Sequence, residues 1–183
     1  SPVQYMVFSS SGEMNIYNVS VSGTGVPTVI INTPNGAQTP PKTADWLEGT
    51  YIKIINADGT TDYEGKEDNI RGRGNSTWGY PKKPYAVKLD SKASILGMPK
   101  HKRWVLLANW MDRTMLRNHV AFTMAKKTCL AWTPRGEFVE VVLNGKHVGN
   151  YYLCEQIKVD ENRVNIHEME DTDTEGDAIT GGY

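Results

Sequence analysis

The stretch from residue 138 to 155 constrains the fold more than any other. Phe138 to Leu143 and Val148 to Glu155 are both strand-like, and Asn144-Gly145-Lys146-His147 joins them. Asn-Gly between two such runs is the strongest short hairpin signal, because both residues tolerate positive φ. Further short strands are expected at 28–33, 51–55, 68–73, 85–89 and 104–108. Asn35-Gly36 and Asp58-Gly59 mark turns between them, and Pro40-Pro41 makes a stiff loop. One helix is expected. Asp112 suits an N-cap, Thr114 to Lys127 holds neither Gly nor Pro, and Lys126 and Lys127 place positive charge where it complements the helix dipole.

The first residues read differently. Val3, Tyr5 and Val7 alternate with polar or flexible neighbours, Ile16 to Val21 is again strand-like, and the Ser-rich stretch at 9–12 supplies a turn. Gly23 to Pro27 reads as a linker. Residues 1–25 are therefore expected to be a β-rich segment, the tail of a preceding module or a hairpin leaning on the next. Residues 26–183 are expected to form an α+β unit, mainly antiparallel sheet with one principal helix. After Val159 the chain turns polar, and Glu168 to Asp177 is acidic enough for a solvated loop.

Composition narrows the function classes. At 183 residues with 39% hydrophobic and 22% charged content, the chain has enough apolar sequence for the core of a soluble globular domain. A net charge of -1 offers no electrostatic drive toward nucleic acid or an anionic membrane. No run approaches the roughly 18 apolar residues that span a bilayer, and no leader is visible at Ser1-Pro2-Val3-Gln4. Cys129 and Cys154 are too few for a disulfide scaffold or a zinc site, and they leave the compartment open. The four histidines show no metal-ligand spacing, and no Gly-x-Ser-x-Gly elbow suggests hydrolysis. Asp171 to Gly176 imitates the start of a calcium loop, but the position that should supply a bidentate Glu is Gly182.

Several phrases recur together and in order. They are Arg71-Gly72-Arg73-Gly74-Asn75-Ser76-Thr77-Trp78, Lys82-Lys83-Pro84-Tyr85, Trp104 to Asn109, Asp112 with Arg117-Asn118, Leu143-Asn144-Gly145, Tyr152 to Ile157, and Asn162 to Ile166. In these the chain resembles the spore-coat-protein-H (CotH) kinase family over roughly residues 26–183. The resemblance implies a reduced kinase-like fold, here its N-lobe, with ATP and magnesium as cofactors and protein hydroxyls as acceptors.

The candidate residues follow from both lines. Gly72 and Gly74 allow close backbone approach, while Arg71 and Arg73 add cationic reach toward phosphate, Arg73 foremost. An ordinary turn with solvated arginines is the plain alternative. In Tyr85-Ala86-Val87-Lys88-Leu89 the period of two puts Ala86 and Lys88 on one face. This strand is similar to the lysine-bearing strand of protein kinases, and Lys83 is a rival candidate. Both are kept. Arg117 and Asn118 face the nucleotide or brace the unit. Backbone groups of Glu155, Gln156 and Ile157 would meet the adenine edge. The helix holds no acid to pair with a strand lysine, so the usual lysine–glutamate switch has no counterpart in it.

In the family, the acceptor-activating acid and the magnesium ligands follow the phrase seen here as Gly181-Gly182-Tyr183. The chain is thus expected to be an incomplete, nucleotide-binding part that is inactive alone, with a protein of unknown identity as substrate. The competing expectation is a non-catalytic surface module that engages carbohydrate or protein through Trp46, Trp78, Trp110 and Trp132. The β-rich N-terminal segment suits an extracellular or cell-surface setting.

Overall fold

The computed structural model describes residues 3–8, 11, 14–19, 25–36 and 39–179. The serine-rich turn at 9–12 and the linker at 23–27 fall partly outside these residues, and Gly181-Gly182-Tyr183 falls wholly outside them. Strands β1 (Val3–Phe8) and β2 (Met14–Val19) pair antiparallel as a two-stranded sheet, from Val3 opposite Val19 to Phe8 opposite Met14.

Seven further strands form the main body: β3 (Thr28–Asn32), β4 (Leu47–Ile55), β5 (Thr61–Gly72), β6 (Tyr85–Ile95), β7 (Met98–Leu107), β8 (Gly136–Leu143) and β9 (Lys146–Glu155). They close into a barrel in the order β3-β4-β5-β6-β7-β9-β8. Every contact in it is antiparallel except the seam, where β3 runs parallel to β8 with Thr28 opposite Glu140 and Ile31 opposite Leu143. The hairpin signal at Asn144-Gly145 holds. Both residues have positive φ, 47° and 76°, and β8 and β9 meet directly across them. Asn144 also closes the seam: its Oδ1 accepts the Thr33 N–H at 2.8 Å, and its own N–H donates to Ile31 O at 2.8 Å.

This architecture overturns the expected α+β, N-lobe-like fold. The sheet closes on itself, and among the described residues the one α-helix, α1 (Arg117–Ala125), contributes no buried residue. A closed barrel buries its apolar face internally, so no helical layer is needed to cover it. Alternation does the sorting. Val29, Ile31, Ile52, Ile54, Tyr85, Val87, Leu89, Trp104, Leu106, Val139, Val141, Tyr151 and Leu153 fill the interior. Their neighbours on the outer face include Ala86, Val105, Tyr152 and Cys154.

Helix α1 packs on that outer patch through His119 and Phe122, whose rings lie 5.9 and 6.2 Å from the ring of Tyr152. It begins later than Asp112 implies. Asp112 folds an Asx turn onto Thr114, accepting from its N–H at 3.1 Å and its hydroxyl at 2.7 Å, and Met115 takes φ 59°. The Asp112 carboxylate still accepts the first helical N–H, from Arg117 at 2.9 Å, so it caps the helix from five residues away. Among the described residues no helix is long and apolar enough to cross a membrane.

Candidate functional site

The site is built where β5 leaves the barrel. Gly72 ends that strand, its N–H donating to Pro41 O at 2.8 Å, and residues 73–84 then fold back against the interior cluster, on which Trp78 packs. Gly72 is needed for packing: a Cβ there would lie 2.4 Å from the Trp78 ring. Gly74 takes φ 89°, which turns the chain away from the sheet. The Arg73 N–H donates to Pro84 O at 3.2 Å, so Arg73 is fixed at the mouth of this loop.

Two hollows of about 280 Å³ each adjoin here, and Arg73 and Leu107 are walls of both. The first gathers the cationic side chains on a lining that is otherwise largely apolar. Arg73, Lys82 and Arg117 line it, together with Asn109, Asn118, Tyr80 and the single carboxylate of Asp112. Asp112 is engaged by backbone N–H groups and by Arg117 Nε at 3.7 Å, and these hold its carboxyl below the usual range. The second hollow is mainly apolar, walled by Val105, Leu107, Phe122, Pro134, Cys154 and Ile157, with Glu155 and Gln156 at its edge. Burial pushes the Cys154 thiol up to about 12, although the nearby Arg73 cation opposes the shift.

The three lysines separate. Lys82 lies over the Tyr151 ring, 4.4 Å from its centroid, and donates to Asn150 O. Half-burial lowers its pKa below 10.5, partly offset by Glu140. Lys83 turns the other way. Its Nζ donates to Trp78 O at 2.7 Å and sits 5.3 Å from the Trp78 ring, so it braces the loop. Lys88 shares the outer face with Ala86, as the period of two requires, but lies in a separate depression with Glu48, Glu67, Asp90 and Lys102. Three carboxylates against two ammonium groups make that depression a poor place for phosphate.

Of the residues singled out from sequence, Arg73, Arg117, Glu155, Gln156 and Ile157 come together around the joined hollows, and Lys83 and Lys88 do not. Lys82 was missed. Three consecutive positions, Lys82-Lys83-Pro84, hold two lysines, and only the loop path decides which one turns inward.

Glu155 belongs to a buried ion cluster. Its side chain is fully buried, its two oxygens accept Arg135 Nη2 at 2.8 Å and Nε at 2.9 Å, and Arg163 Nε lies 3.7 Å away. The backbone here is also engaged: Glu155 N–H donates to Arg135 O at 3.0 Å, and Gln156 O accepts Arg163 Nη1 at 2.6 Å. Ile157 is 69% exposed. Among the tryptophans, Trp46 is bracketed by Arg71 and Arg103 at 4.4 and 4.7 Å, Trp78 packs edge-on to Tyr85, and Trp110 is about half exposed.

Asp173, from the segment that imitates a calcium loop, accepts from His167 at 2.7 Å and from Glu170 N–H at 2.8 Å. Among the described residues no three His, Cys, Asp or Glu side chains converge to hold a metal.

A family model described as CotH kinase protein matches residues 70–178, which include the loop at 73–84, both hollows and the buried ion cluster. No curated protein matches the chain.

Proposed function

The chain belongs to the CotH kinase protein family, and from that premise we propose that it supplies the nucleotide-binding surface of an ATP-dependent kinase acting on protein Ser/Thr hydroxyls. The observation that carries this reading is Arg73, which is shared by a cationic hollow and an apolar one. A nucleoside triphosphate has the same division: an aromatic base at one end and a polyanion at the other. Val105, Leu107, Phe122 and Pro134 suit the faces of a base, and Arg73, Lys82 and Arg117 suit the phosphates.

ATP, when bound, supplies the phosphoryl group. The chain's own residues do the positioning. Arg73 is planar and permanently charged, and can fork onto two phosphate oxygens. Lys82 adds a point charge from a half-buried site, where low local dielectric strengthens its attraction to an anion. Arg117 adds a more exposed cation from the first turn of α1.

Calorimetric titration with ATP and magnesium tests this. ATP should bind, and Arg73→Ala and Lys82→Ala should each weaken it about tenfold or more, while Lys88→Ala leaves it unchanged. Indifference to Arg73 and Lys82 would move the nucleotide elsewhere. Failure of the full-length protein to move the γ-phosphate onto any protein hydroxyl would remove the kinase reading.

A further inference from the structure

We infer that the outer side of helix α1 docks the acidic segment at 165–175 of a second copy of the chain, in a head-to-tail contact.

Helix α1 has two unlike sides. His119 and Phe122 lie against Tyr152 of the barrel. Leu116, Val120 and Met124 are spaced four apart and so stack along another side, where they are 49%, 48% and 64% exposed. An exposed apolar stripe rimmed by polar groups marks an interaction surface. Here the rim is cationic. Arg113, Arg117, Lys126 and Lys127 are all exposed, and residues 113–127 hold no acid.

The same chain carries the complement. Arg163 is buried in the ion cluster, but residues 165–172 are exposed throughout. Glu168, Glu170 and Asp171 lie in this stretch, Glu175 lies just beyond it, and residues 164–176 hold no lysine or arginine. Ile166 and Met169 add exposed apolar side chains three positions apart. Asp173 is used within the segment, by His167 and the Glu170 N–H. Apart from Arg117 with Asp112 and Asp173 with His167, neither set of charges makes an ion pair among the described residues.

Unmatched opposite charges on two surfaces, each beside exposed apolar side chains, are the parts of a docking pair. Apolar contact supplies affinity, and the charges steer approach and fix orientation. A second copy is the partner whose complementary pattern is present in the sequence itself. The two surfaces differ and every copy has both, so the contact is heterologous and adds copies in a row or closes a ring.

Sedimentation equilibrium of the chain across a wide range of concentration tests this. At low salt the mean mass should rise with concentration, and high salt should return it toward that of one copy. Lys126→Glu with Lys127→Glu, or Asp171→Lys with Glu175→Lys, should each weaken association by about tenfold or more. Mixing these two variants should restore it, because each keeps the half that the other has lost. Val120→Ser with Met124→Ser should weaken it with every charge in place. All of these positions are exposed, so the variants should fold, and thermal melting checks that they do. A native chain that stays a single copy at every concentration overturns the contact. Association that survives the helix charge reversal, or a mixture that fails to associate, does the same. Binding to anionic phosphatidylglycerol vesicles in place of self-association gives the helix to a lipid surface and also overturns it.

Discussion

Arg135 forks onto Glu155, its Nε and Nη2 reaching the two carboxylate oxygens at 2.9 and 2.8 Å. Arg163, itself only 2% exposed, lies on the other side of the same carboxylate and over the Trp104 ring. Two cations thus depend on one buried anion. Glu155→Ala removes that anion and leaves the Arg163 guanidinium buried without it, which costs about 3–5 kcal/mol. Urea unfolding measures the loss, and a change below about 1 kcal/mol would show that the cluster is solvated in solution.

Asn144→Ala should be more damaging than a turn substitution usually is. The residue holds φ 47°, which alanine tolerates poorly, and its side chain accepts the Thr33 N–H across the barrel seam. Strain and the lost bond together cost about 2 kcal/mol or more. Asn144→Gly relieves the strain but not the lost bond, so it should fall between wild type and alanine in thermal melting.

Gly136→Ala should separate β8 from β9. An added Cβ would lie 2.7 Å from the Leu153 carbonyl oxygen and 2.6 Å from Cys154 Cβ. Backbone cannot yield as a side-chain tip can, and overpacking of this kind costs about 1–3 kcal/mol. Amide exchange should quicken first at Leu153 and Cys154.

In the proposed nucleotide site, Lys82 sets a pH limit. Burial favours the neutral amine, so its charge is lost at a pH below that of an ordinary lysine, 10.5. ATP affinity should therefore fall as pH rises through that lowered value. Lys82→Arg, which stays charged, should flatten the decline. An unchanged pH profile in that variant would remove Lys82 from the phosphate site.

The two thiols should react unequally. Cys129 is exposed, whereas Cys154 is buried with its thiol pushed up to about 12. Thiolate is the reactive form, so a short alkylation of the native protein at neutral pH should label Cys129 and spare Cys154. Mass mapping reads the result.

What the sequence disclosed follows the range of the interactions involved. Asn144-Gly145 is a two-residue signal for a two-residue turn, and the alternation in Tyr85 to Leu89 sorts inner from outer side chains correctly. Most strands run longer than their sequence signal, β3 excepted. β5 reaches back through Asp62, Glu64, Lys66 and Glu67, whose charges hide its pairing with β4, and Gly49 at φ 65° interrupts the pattern in β4. Helix α1 was started too early because an Asx turn and an N-cap use the same aspartate. Barrel closure left no local mark, since β3 meets β8 only through the finished fold. The choice of Lys82 over its neighbour depended on where Trp78 settles, which no spacing encodes.

The seam between β3 and β8 also sets an order of events. Thr33 and Asn144, which clasp each other there, are 111 positions apart. The β8–β9 hairpin, closed by two residues, is a microsecond-scale event that needs nothing else. The seam instead requires a loop of more than a hundred residues to be closed before its bonds give any return. Assembly of the barrel is therefore governed by one long-range meeting, and until it occurs β3 and β8 each present an unpaired edge to other chains. The clasp that removes these edges from the native protein makes their exposure longest while it folds.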